Sequence, residues 1–177
     1  MERNMSLGAA AFKGSGKVNG VPVFVHQSPL TVGGIVSDSN DNGLAFGRVA
    51  YREAGNLDYF IQGKGTGNTV VAGIAIADPS IMTLDPAMND YYFNTRPATV
   101  ITHGLVQFAE WELNGEVTAL VNPSYGAKVI FNDTTGKIGF TTATSVPSGY
   151  TQLDAFVYDI SGPNGVTIFL NKPAVVA

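Results

Sequence analysis

The chain has 177 residues and a mass of 18.6 kDa, and only 14% of it is Asp, Glu, Lys or Arg, against about 25% in an ordinary soluble domain. A net charge of -4 and ten basic residues scattered singly exclude a nucleic-acid backbone partner, which needs clustered Lys and Arg to release counterions. The lack of cysteine excludes a disulfide framework, a thiol nucleophile and a thiolate zinc site.

Residues 1–36 are Gly-rich and aperiodic. They carry neither the basic start and apolar run of a secretory leader nor the 18 or so apolar residues that span a bilayer. This segment is expected to be an extended N-terminal arm, able to reach on the order of 100 Å. Within it the apolar stretch 21–25 is expected to pair as an edge strand. From residue 37 to 177 short β-branched and aromatic runs alternate with turn residues, which is the pattern of a single all-β domain, a β-sandwich or β-barrel of jelly-roll type. Strands are expected at 44–51, 57–62, 70–77, 91–94, 99–111, 117–121, 128–132, 137–141, 152–159 and 166–171. The clearest hairpin is 128–140, where Asn132-Asp133-Thr134-Thr135-Gly136 supplies the reversal. In 78–90 two prolines each precede a short stretch suited to a helical turn.

Charge is missing altogether from 18–37, 65–77, 97–109 and 138–153. A charge buried without a partner is costly, so charge-free surface marks contact with another protein. Uncharged edge strands offer pairing to a partner sheet, and the arm is suited to ordering on binding.

Each candidate chemical site has a simpler explanation. His26 and His103 are the two histidines; with no Gly-x-Ser-x-Gly elbow or orienting third group, His103 reads as packed or interfacial. Asp38-Ser39-Asn40-Asp41-Asn42-Gly43 matches the front half of a calcium loop, but its twelfth position is Val49, which offers no carboxylate, so a polar turn is expected. Gly16-Lys17 and Gly136-Lys137 lack the following hydroxyl of a phosphate loop, and Gly63-Lys64-Gly65-Thr66-Gly67 lacks a dinucleotide spacing. Glu110, Glu112 and Glu116 flank the single tryptophan, Trp111. Alternation on a strand places Glu110 and Glu112 on one solvated face and Trp111 on the other, although Trp111 with Tyr91 and Tyr92 also suits a sugar-binding platform. No catalytic, cofactor-binding or metal-ligating residue is expected.

Four stretches in order, GLAFGRVAY at 43–51, VVAGIAIADPS at 70–80, THGLVQFAEW at 102–111 and YGAKVIFNDTTGKIGF at 125–140, resemble the structural cement, or head decoration, proteins of tailed bacteriophages. The resemblance implies a non-enzymatic virion protein, made in the host cytoplasm and placed on the outer surface of the capsid. There it would bridge adjacent major capsid subunits against the pressure of packed DNA. Its implied partners are the major capsid protein and itself, as a homotrimer or a homodimer, with no nucleic acid, membrane, metal or cofactor. The rival readings are a tail-fibre or receptor-binding domain that recognises glycans, and a β-barrel enzyme, for which convergent acid and base groups are not apparent.

Overall fold

A computed structural model describes residues 19–23, 29–40, 43–65, 67–78, 91–113, 117–160 and 165–175. Its strands are β1 (Val21–Val23), β2 (Leu30–Val36), β3 (Leu44–Ala45), β4 (Val49–Glu53), β5 (Asn56–Gln62), β6 (Val71–Ala75), β7 (Tyr91–Tyr92), β8 (Pro97–Phe108), β9 (Lys128–Asn132), β10 (Ile138–Thr141), β11 (Tyr150–Asp159) and β12 (Val166–Val175). No helix occurs among the described residues.

The strands build a barrel and a sheet that share one strand. β2, β5, β4, β6 and β8 close into a ring in which β2 and β5 run parallel and every other pair is antiparallel. The order β10-β9-β11-β12-β8, with β1 on the far side of β8, forms an open antiparallel sheet. The all-β expectation is met, and both of its forms, sheet packing and barrel closure, are present. β8 divides its length between the two layers: residues 97–103 pair with β2, and 104–108 with β12. Gly104 stands at the division with φ +126, where a Cβ would lie 3.1 Å from Pro29 Cα. A side chain is therefore disfavoured there on both conformational and steric grounds.

Two large apolar cores follow from strand alternation, beside a small third cluster of Leu120, Ile130 and Tyr150. One holds Val36, Ala50, Phe60, Ala72, Ala98 and Val100, with Leu44, Phe46 and Tyr92 packed into the same cluster. The small residues leave room for the Phe60 ring. The other joins the outer wall of the barrel, through Val49, Tyr51, Val71, Ile74 and Ile101, to the inner face of the sheet, through Val129, Phe131, Phe140, Leu153 and Ile168. Adjacent residues point to opposite sides, so Val49 and Ala50 serve different cores.

The expected arm is corrected at its end. Residues 30–36 are β2, which lies between β8 and β5 and completes the barrel. Gly33 and Gly34 read as punctuation in the sequence, yet a Cβ on Gly34 would lie 2.5 Å from Phe60 Cζ. The glycine admits a neighbouring ring instead of breaking the strand. β1 meets the expectation of an edge strand, pairing Val21, Pro22 and Val23 with Gln107, Val106 and Leu105. The run 44–51 divides into β3 and β4, and 117–121 makes only an isolated bridge between Leu120 and Thr141. The helical turns expected in 78–90 fall outside the described residues beyond Asp78.

Candidate interaction surface

The sheet edges are poorly suited to pairing with another chain. The barrel has no edge because β6 and β8 close it. On the sheet, the β10 edge is covered by the chain that follows β8: Glu112 N–H donates to Ile138 O at 2.7 Å and Val121 N–H to Phe140 O at 3.0 Å. The opposite edge is β1, only three residues long. Short and covered edges suppress strand addition, which leaves the sheet faces as the larger exposed surfaces among the described residues.

One such face, the outer side of β8, β12 and β11, carries exposed apolar side chains. Phe156 and Phe169 are register partners across β11 and β12 and stack with centroids 5.4 Å apart. The His103 ring meets Phe169 edge-on at 5.1 Å. Leu30 pairs with His103 and is 61% exposed, while Phe156 and Tyr158 are each 48% exposed on either side of buried Val157. Polar groups beside the rings hold them in place. Asn171 Nδ2 donates to Asp154 Oδ1 at 2.8 Å, and the His103 Nδ1 lies 2.6 Å from Asn171 O. A carbonyl only accepts, so Nδ1 carries the proton. His103 is thus a packed histidine on this face; His26 falls outside the described residues.

The other sequence candidates lie apart from one another. Asn40 is turned inward, donating through Nδ2 to Ser37 O and Phe60 O and accepting at Oδ1 from Gln62 N–H at 2.7 Å. Ser37 and Ser39 hydroxyls both donate to Glu53 Oε1, and Val49 is fully buried. Residues 38–40 of the supposed calcium loop therefore form a turn tied inward to the barrel end; Asp41 and Asn42 fall outside the described residues. Trp111 packs edge-on to Phe140 and donates through Nε1 to Asn122 Oδ1. Tyr92 is buried in the other core and donates to Ile76 O at 2.9 Å, so the two aromatics do not share a platform.

Glu112 has left the strand, because β8 ends at Phe108. It accepts from Tyr150 Oη at 3.4 Å and Asn132 Nδ2 at 3.5 Å and lies 3.8 Å from Lys137 Nζ. It is a half-buried brace between the sheet and the chain covering its edge, and Glu116 is outside the described residues. The turn at Asn132 to Gly136 is the hairpin read from the sequence, with Asn132 Oδ1 accepting from the Thr134 and Thr135 N–H groups. Lys64 N–H donates to Asp133 O at 2.8 Å, which ties the glycine-rich segment to that turn.

Comparison with known proteins assigns this arrangement. The chain matches the structural cement protein family (E217 gp24/Pam3 gp6) over residues 9–171. It belongs to that family. No curated protein matches it. Among solved structures, a chain from "The capsid of Myoviridae Phage XM1" superimposes with a TM-score of 0.58 at 19% identity, covering 98% of this cement protein and 99% of that chain. At that identity the likeness is one of fold.

The aromatic cluster of exposed Phe156 and Tyr158 with half-buried Phe169 is the surface feature of this cement protein that the sequence reading missed. The signal was present as an aromatic residue on each side of the buried position Val157, so that the end of β11 at 156–158 is apolar on both faces.

Proposed function

We propose that this chain is a bacteriophage capsid cement protein that binds the outer surface of the major capsid shell and bridges adjacent capsomers. The observation that carries the reading is the family match over residues 9–171, and the aromatic face provides its contact with a capsid subunit. The role is structural. The protein stabilises the assembled shell by binding it in preference to dissociated subunits, by about 2.7 kcal/mol per site at a hundredfold excess over Kd. Self-association into a homotrimer, with a homodimer as the alternative, raises avidity because each further contact becomes intramolecular.

Particles stripped of the protein should rupture at a lower temperature than decorated ones. Adding back purified protein, with no substrate or cofactor, should restore resistance. Identical rupture of bare and decorated particles would overturn the reading. Light scattering on the isolated protein tests the oligomer, and a monomeric mass at high concentration would remove that part of it.

A further inference from the structure

A cleft of about 300 Å³ opens where the barrel end meets the β9–β10 turn, lined in part by Ser39, Arg48, Gln62, Tyr91, Thr134 and Thr135. We propose that this cleft receives a carboxylate presented by a partner protein chain, seated against the Arg48 guanidinium.

Among the described residues Arg48 is the only charged side chain in the lining, and its Nη1 is buried without a hydrogen-bond partner. A buried charged donor left unsatisfied is destabilising, so the guanidinium that lines the cleft is undercompensated, and a negative charge brought against its cleft-facing side gains more than it would at an exposed arginine. Burial holds the Arg48 pKa below the ordinary arginine value, while Glu112, Tyr91 and Glu110 oppose that shift. Glu112 does not complete the site, since it is engaged by Tyr150, Asn132 and Lys137.

The ligand class follows from the charge and shape of the lining. One guanidinium balances a monoanion and matches the two oxygens of a carboxylate in a fork. A phosphate dianion would be left half neutralised, in a chain that already carries a net charge of -4. The hydroxyl and amide groups of the remaining lining can donate to the same oxygens. The walls are fixed in advance: Val49 N–H donates to Gly136 O at 2.8 Å and Gly63 N–H to Val49 O at 2.9 Å, so little ordering opposes binding.

The test uses the isolated full-length chain, so it can fail while the cement reading stands. Amide NMR shifts are followed during titration with four probes: glutamate blocked at both backbone ends, glutamine blocked in the same way, N-acetyl-alanine and inorganic phosphate. Blocked glutamate or N-acetyl-alanine should give saturable shifts at Thr134, Thr135 and Gly136 and at the Arg48 Nε–H. Preference between the two distinguishes an acidic side chain from a chain terminus. Blocked glutamine should give none, and phosphate weaker ones.

Arg48→Met should weaken the carboxylate at least about tenfold while leaving the melting temperature unchanged or higher, because an unsatisfied buried charge has been removed. No saturable carboxylate shift in the wild-type chain, or equal shifts with glutamine or phosphate, overturns the proposal. So does undiminished binding to a folded Arg48→Met. Should that variant not fold, the wild-type titrations decide.

Discussion

Asn40 shows how much one side chain can carry at the end of a barrel. It satisfies two carbonyls and one N–H at a buried position, and Asn94 Nδ2 donates to its own carbonyl at 2.7 Å. Asn40→Ala leaves the Gln62 N–H without its acceptor and removes one of the two hydrogen bonds at each of Ser37 O and Phe60 O, and should lower stability by about 2–3 kcal/mol, read as a shift in the urea midpoint with unchanged slope. Asn40→Asp should be worse, because a carboxylate cannot donate to Ser37 O and Phe60 O. Two buried tyrosines set the alkaline limit. Burial, with a smaller contribution from Asp133, pushes the Tyr51 phenol up to about 12. Burial, and then Asp78, also raises Tyr92, whose hydroxyl donates to Ile76 O. In the unfolded chain both ionise near their ordinary value of about 10. The folded chain therefore holds more protons above that pH, and the stability these groups contribute is full below pH 10 and falls as pH rises toward 12. Urea midpoints measured between pH 8 and 12 should decline steeply, and Tyr51→Phe should flatten the decline.

Among the elements, β2 most changes what the N-terminal segment means. A truncation removing residues 1–36 deletes it, leaving β5 and β8 unpaired on facing sides and Phe60 without its Gly34 contact. That truncated chain should fail to give a cooperative melt, whereas one starting at Asn19 retains every described strand and should melt as the full chain does. Asn19 has its own structural task, accepting through Oδ1 from the Ala109 and Glu110 N–H groups. The elements legible in the sequence are those whose determinants are local. The β9–β10 hairpin is written in Asn132, Thr134, Thr135 and Gly136, which bond to one another. β2 was hidden because the reason for Gly34 lies on another strand, at Phe60. The same holds at the candidate sites. Asn40 read as a turn residue, as it is, but its inward bonds go to Phe60 and Gln62. Glu112 looked like part of a solvated pair because the end of β8 at Phe108 is not marked by any breaker. Arg48 is a lone base in the sequence, and its environment comes from residues near 39, 62, 91 and 134 that only the closed barrel brings together.

At the scale of the whole molecule, an open face and protected edges occur together. Phe156 and Tyr158 contribute exposed apolar area and little to either core, so Phe156→Ser with Tyr158→Ser should leave the melting temperature within about 2 °C. The same variant should bind stripped capsids at least about tenfold more weakly, since aromatic anchors dominate interface energy, and a sedimentation assay with labelled protein reads the difference. Undiminished binding would move the capsid contact to another surface. The sharing of β8 by both layers has a mechanical consequence. A pull that holds the sheet and draws on the barrel enters β8 along its length, where its two ends are bonded to different neighbours. Hydrogen bonds to β2 and β6 on one side of Gly104, and to β12 and β1 on the other, are then sheared together instead of opening one by one. The layers cannot be drawn apart by peeling a single edge, and a protein clamped between neighbouring subunits of a swelling container would yield only by losing β8 from both at once.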